Sequence, residues 1–474
     1  MNKLLYILPV LFSTVSAMSQ NEQKTFWLLN GSPSVFIWDN TVSNSRIDNG
    51  TGTWNTTTKE WTFNKGITDL IWRQGASAFF GGNPGTGAAG TVTVTGTQTA
   101  QSLTFNPAAS GNFTLTGGSV INVSGNITAN AGATIGSTLG GSSGLTLAGT
   151  GTIILTALTT YTGTTTVNSG TLQLSNGTAN SSTPTLTTPI IIASGGTFNS
   201  DILSANVNLS GAISGPGTLG IANTGTQLQS LRLYGSNSGF TGNFSEPSTT
   251  RGLMWSDNGG TGNAANTGSA AASWNLSGAF DFIETAGAAT STVQLGSLSG
   301  TNSATTLGGF SGSGTKTFQV GALNTNTTFA GAIQDNPQGS GTPVIALIKV
   351  GTGTLTMSGT NTYSGATTVD AGTLAFSTAI PSSNTWSIAV TATATPTSTN
   401  SGLMTTPSTL SLAGKTVNIV LTGASTGFTW TAMSFGGTIL VGPTLQINGT
   451  TVISGVASGG TTVTFTGTSI TVKR

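Results

Sequence analysis

With no histidine and no cysteine in 474 residues, any catalysis by this chain would rest on twelve Asp and Glu side chains. That removes serine–histidine and thiol nucleophiles, imidazole metal sites and thiolate zinc sites together. Two carboxylates flanking a glycosidic bond remain a workable device. The candidates are Asp39, Asp48, Glu60 and Asp69 near the front, Asp201, and then Glu246, Asp257, Asp281 and Glu284. Most read as solvated turn residues. The best local cluster is Arg251, Trp255, Asp257, Trp274, Asp281 and Glu284, which combines flat aromatic faces with charge. It reads as an irregular insertion with its tryptophans packed on the core, as a projecting glycan-binding loop, or as a catalytic dyad. Trp255, Asp257 and Trp274 are the residues nominated for ligand contact, and none is nominated for catalysis. Calcium-binding rolls need Gly-Gly-x-Gly-x-Asp tandems, which are absent, and the recurrent Gly-Thr-Gly lacks the Lys-Ser/Thr of a phosphate loop. The expectation is a non-catalytic protein without cofactor or metal.

The elements that would carry such residues are set by a repeat. Gly149–Leu174 recurs without a gap as Gly351–Phe376, sharing Gly149/Gly351, Gly151/Gly353, Tyr161/Tyr363, Gly163/Gly365, Val167/Val369, Gly170/Gly372 and Leu172/Leu374. Within the second copy Leu355 and Met357, then Val369, then Leu374 and Phe376 fall on one face of three consecutive strands, because side chains alternate along a strand. Ile153, Leu155, Val167, Leu172 and Leu174 occupy the same places in the first. Stacked coils that bury one continuous apolar column satisfy this pattern, so the fold class is all-β, a β-solenoid. Short alternating runs begin at Thr91–Thr95 and Ser102–Phe105, a copy of the motif with drifted spacing occupies Ser214–Leu219 and Leu231–Gly242, and Val293–Gly300 and Phe329–Ile333 read as approach strands to the second clear copy. No stretch after the first residues has helical periodicity.

Charged residues make up 5% of the chain, against roughly 25% in an average soluble protein. Formal net charge is +1 and no charged residue lies between Arg73 and Asp201, so no basic stripe offers itself to phosphates, and nucleic acid is not an expected partner. Periodic aliphatics argue against disorder. Residues 1–17 read as a signal peptide, with Lys3, an apolar Leu4–Val15 core and a Val15-Ser16-Ala17 cleavage site; that run is too short to span a bilayer. No other transmembrane segment is expected. Five of the nine tryptophans, Trp27, Trp38, Trp54, Trp61 and Trp72, mark 18–89 as a Trp-rich N-terminal cap region, with a carbohydrate-stacking platform as the alternative. The solenoid is expected over 90–380. A C-terminal all-β region follows over 381–474, either continuing the coil or folding as a sandwich. Threonine rows such as Thr93, Thr95 and Thr97 read as ordinary outward positions on strands rather than as an ice-binding face.

The run Gly351-Thr-Gly-Thr-Leu-Thr-Met-Ser-Gly-Thr-Asn-Thr-Tyr-Ser-Gly-Ala-Thr-Thr-Val-Asp-Ala-Gly-Thr-Leu374 resembles the autotransporter-associated β-strand repeat, also called the passenger-associated transport repeat. Gly149–Leu174 keeps the ends of that signature but has Ala157-Leu158-Thr159 in place of Gly-Thr-Asn. Gly52-Thr-Trp-Asn55 and Ala78-Phe-Phe-Gly81 are similar to the opening segment of large secreted bacterial proteins with such repeats. The resemblance implies a right-handed parallel β-helix, exported from a Gram-negative-type bacterium to the medium or cell surface, with an adhesin-like role. Surface glycans or other cell-surface proteins would be the partners. The C-terminal residues are not expected to supply the outer-membrane barrel of autotransporters, nor a hydrophobic sorting helix. The alternative is a carbohydrate-active or carbohydrate-binding β-helix.

Overall fold

The computed structural model describes residues 34–473 except 42–43, 64, 82–86, 158, 176–184, 203–205, 223–229, 248–251, 257–267, 285–289, 338–340, 378–384, 392–402, 407–409, 412–415, 423–428, 436–438, 442–443, 448–449, 453–454, 458–460 and 466–468. The expected signal peptide at 1–17 therefore lies outside the described residues, as do Trp27, Arg251 and Asp257. The described residues form strands and turns and contain no helix. The chain divides into two compact units, residues 1–201 and 202–474.

In the first unit, strands Ala76–Phe80, Gln98–Phe105, Asn126–Ala129, Leu145–Gly149, Thr165–Ser175 and Ile190–Asp201 pair in parallel, each with the one a coil further along the chain. Register lines up Ala78, Leu103, Ile127, Leu147, Val167 and Ile192, all buried. A second column runs through Val92, Leu115, Ile135, Leu155 and Leu174. Parallel strands covered on one face build a shared interior, and burying each aliphatic is worth about 1.5–3 kcal/mol. Parallel pairing starts before residue 90, since Val35–Trp38 pairs with Ala76–Phe80 and Gly52–Trp54 with Thr91–Val94. The charges and tryptophans of this stretch had hidden its alternation. Trp38, Trp54, Trp61 and Trp72 are buried in one another, ring centroids 4.6–5.3 Å apart, and antiparallel strands Trp61–Thr62 and Asp69–Leu70 hold them. Phe80 continues the cluster into the coil by stacking on Phe105 at 5.1 Å. These four rings leave no face for a sugar.

The second unit repeats the arrangement. Val207–Leu209, Leu231–Leu233, Leu253–Ser256, Phe280–Glu284, Thr306–Gly309 and Ala332–Gln334 form one parallel ladder. Leu355 and Leu374 stack in register, as do Met357 and Phe376, and all four are buried. Parallel pairing continues beyond residue 380: Thr367–Val369 pairs with Thr385–Thr391, which pairs with Thr416–Thr422 and on to Thr444–Ile447. Near the C-terminus the direction reverses, where Thr429–Phe435, Thr461–Phe465 and Gly455–Ala457 pair antiparallel with their neighbours.

Both clear copies place their signature tyrosine inside the coil. The Tyr161 and Thr165 hydroxyls share a 2.7 Å hydrogen bond, and Tyr363 and Thr367 share one of 2.8 Å. Burial pushes the Tyr161 phenol up to about 12, so it stays a neutral donor. A buried phenol needs such a partner, which accounts for the Tyr-x-x-x-Thr spacing. Tyr363→Phe is expected to leave Thr367 short of that partner and to cost about 0.5–1.5 kcal/mol in urea unfolding. Asn361 adds a brace specific to the second copy, accepting from the Ile333 N–H at 2.9 Å.

Candidate functional site

Trp255 and Trp274, nominated for ligand contact, point inward. Trp255 sits in register between Leu233 and Ile283, and Trp274 between Phe244 and Leu298. Their rings meet edge to face at 5.4 Å, Phe244 lies 5.6 Å from Trp274, and both indoles are fully buried. The Trp274 Nε1–H donates to the Ser269 carbonyl at 3.2 Å, leaving its polar edge satisfied. Alternation explains the placement of Trp274, because Ala272, Trp274 and Leu276 share strand parity and are all buried. Neither ring offers a face to a glycan. Asp257 lies outside the described residues.

The carboxylates also differ from their reading as solvated turn residues. Asp39, Asp69, Asp201, Glu246 and Asp281 are buried. Where the chain leaves the ladder it strands backbone N–H groups, and in a chain so poor in charge the acids are spent on satisfying them. Asp39 Oδ1 accepts from the Asp48 N–H at 3.1 Å. Burial, with help from the nearby Asp69 and Asp48, pushes the Asp39 carboxyl up to about 6. Glu60 Oε2 accepts from the Thr53 N–H at 2.7 Å and from the Thr58 hydroxyl at 3.2 Å. Asp201 accepts from the Ser175 hydroxyl at 2.9 Å.

Two of the buried acids belong to the second unit. Asp281 occupies a column that is otherwise apolar, in register with Leu307 and, beyond it, Ile333. Its Oδ1 accepts from the Leu253 N–H at 2.7 Å. Glu246 Oε1 accepts from the Ser277 and Gly278 N–H groups at 2.9 and 2.6 Å. Burial pushes both carboxyls up, Asp281 to about 7 and Glu246, with help from the nearby Asp281 charge, well above its ordinary value. The sequence nominated each acid separately. Its one signal of their burial is the parity of Phe280-Asp281-Phe282-Ile283, which sets Asp281 on the same face as the buried Ile283. Both acids are buried among the described residues.

A buried cation plays a related part. Lys349 Nζ donates to the carbonyls of Val350, Gly351 and Ala371 at 2.7, 2.9 and 3.2 Å, tying together the turns that open and close the second repeat. Desolvation lowers its amine to about 8. Leu147 stands at the equivalent position of the first repeat.

The buried tyrosine and the three inward-facing strands recur over the segments that a known repeat model recognises, residues 145–174 and 347–376. The chain carries two passenger-associated transport repeats. Each transport repeat begins one strand before the copy visible by eye, taking in Leu145–Gly149 in one case and the end of Val344–Lys349 in the other. Such repeats indicate the passenger part of an autotransporter-type protein and are compatible with a secreted or surface location. Neither the curated proteins nor the solved structures include a match to this chain. Among the described residues no helix is long and apolar enough to cross a membrane, which leaves strand-built barrels unaddressed.

Proposed function

We propose that this is a non-catalytic, secreted or cell-surface protein with a structural or adhesin-like role. The observation that carries the reading is the pair of transport repeats, most of whose inward positions are filled by packed apolar side chains. The ionisable groups nominated for chemistry support it, since Asp281, Glu246 and Glu60 each accept from backbone amides. In this reading the coils wind right-handed, the hand overwhelmingly favoured for parallel crossovers. The Trp38–Trp54–Trp61–Trp72 cluster serves as the cap of the first unit, sealing the last apolar layer with bulky rings and antiparallel strands. Ligand contact falls to the outward Thr, Ser and Asn side chains, suited to glycans or cell-surface proteins.

Beads coated with the purified chain are expected to adhere to cells or to a glycan array, and a panel of polysaccharides incubated with it is expected to release no reducing ends. Reproducible release that is abolished by Asp257→Asn or Asp281→Asn in a folded variant would overturn the non-catalytic reading. Detection of the native protein only in the cytoplasm would overturn the location.

A further inference from the structure

Burial sorts the charges of residues 34–75 by sign. Arg46, Lys59, Lys65 and Arg73 are exposed, whereas Asp39 and Asp69 are buried and Asp48 and Glu60 are partly covered. With the acids turned in, the surface of this stretch is cationic although its formal charge balances. Two of the cations are carried on neighbouring loops. The Ser45 N–H donates to the Gly66 carbonyl at 3.0 Å, and a side chain on Gly66 would run into the Arg46 carbonyl. The turn bearing Lys65 and Gly66 is closed by Thr62, whose hydroxyl donates to the Thr68 carbonyl at 3.0 Å and accepts from the Gly66 N–H at 3.1 Å. Ser45 and Lys65 hold left-handed φ values of 61° and 62°, two of the three non-glycine residues to do so among the described residues. Backbone of that kind persists only where its surroundings enforce it, and it gathers at functional sites. Beside Gly66 stands Ile67, which at 62% is the most exposed large apolar side chain among the described residues. One oxygen of Asp48 lies 3.8 Å from Arg46 Nη2 and the other accepts from Asn44 Nδ2, yet the Arg46 side chain remains 66% exposed.

We propose that Arg46, Lys65 and Ile67 form a patch that docks the protein on a bilayer surface whose headgroups bear anionic phosphate. The occupant follows from the company the charges keep. A soluble polyanion is matched by cations alone and gains little from an aliphatic side chain raised into water. At a headgroup layer the cations meet phosphate and the isoleucine leaves water for the acyl boundary. Either signal by itself is weak, and the two together are what surface attachment requires. Both loops are fastened before contact, so little order has to be gained on docking. Their footing is rigid, because the strand Trp61–Thr62 that leads into the turn pairs with Asp69–Leu70 and places Trp61 in the buried tryptophan cluster. Lys59 and Arg73 add to the local field without belonging to the patch. The docking uses none of the outward hydroxyls to which glycan or protein contact was assigned, so the two readings stand or fall separately.

Co-sedimentation of the full chain with vesicles at low salt tests the patch. Vesicles of phosphatidylglycerol and phosphatidylcholine in equal parts are expected to carry the protein down, and vesicles of phosphatidylcholine alone to leave most of it in solution. Each cation removed is expected to weaken binding about fivefold, so Arg46→Gln/Lys65→Gln together cost about 25-fold. Ile67→Ser is expected to cost about tenfold, and Ile67→Trp, a side chain suited to the interface, to bind at least as tightly as the wild type. Lys473→Gln removes an exposed cation near the other end of the chain and is expected to change nothing. All of these positions are exposed, and an unchanged thermal midpoint verifies that each variant is folded. Absence of binding to the anionic vesicles overturns the proposal. Binding that Ile67→Ser leaves intact, or that Lys473→Gln weakens as much as the Arg46/Lys65 variant does, overturns it equally. Retention on immobilised polyphosphate without binding to vesicles overturns it in favour of a soluble polyanion.

Discussion

Trp274→Ala is expected to lower the stability of the second unit by about 3–5 kcal/mol, the cost of deleting a large ring from a packed interior. The ring lies among Phe240, Phe244 and Trp255, at 6.1, 5.6 and 5.4 Å, so its loss opens a cavity bounded by three other aromatics. Those neighbours are held on separate strands and cannot collapse together without breaking register. The thermal midpoint is expected to fall by roughly 10 °C, as read by circular dichroism. Glycan binding measured by calorimetry is expected to be the same before and after, at temperatures where both proteins are folded. A variant with unchanged midpoint and abolished binding would instead return the ring to the surface.

An equally large effect is expected from Gly365→Val. A side chain there meets backbone: its Cβ would lie 2.3 Å from the Ile345 carbonyl oxygen and 2.8 Å from the carbonyl carbon. The approach is close because the Gly365 N–H donates to that same oxygen at 2.9 Å, so neighbouring coils are drawn together at this turn. Backbone cannot rotate aside as a flexible side chain does. The second unit is expected to lose about 3 kcal/mol or more in urea unfolding, or to fail to fold. Gly163, the matching residue of the first repeat, is confined in the same way, its Cβ falling 2.2 Å from the Gly144 nitrogen. Gly118→Ala is the control, since nothing lies within 4 Å of a Cβ at that position, and it is expected to be near neutral.

The β ladder was legible because its physics is periodic. Val167 and Val369, Leu172 and Leu374 were placed on the inner face by alternation alone, and all four are buried. The two repeats were legible because glycine and tyrosine positions recur with them. Trp255, Trp274 and the acids were harder to read. A tryptophan beside charged residues in an irregular stretch has the same local composition whether it faces a ligand or a neighbouring coil. Only the register of Phe244 against Trp274, a pairing distant in sequence, decides which. The acids were misread as solvated for the converse reason, since the amides they satisfy at Leu253, Ser277 and Gly278 are stranded by turns that composition does not reveal. The start of the ladder ahead of residue 90 was obscured because Gly52–Trp54 contributes one short strand among bulky rings.

The reversal of strand direction at Trp61–Leu70, and again between Thr429 and Lys473, has an evolutionary corollary. A parallel ladder is a template on which any further copy of the same coil will fit, whereas a strand folded back antiparallel accepts no such addition. New coils in this lineage would therefore be gained by duplication between existing ones, where the register of one copy is already matched to the next. The best-preserved copies, at 145–174 and 347–376, lie well inside these reversals, as that route of growth requires.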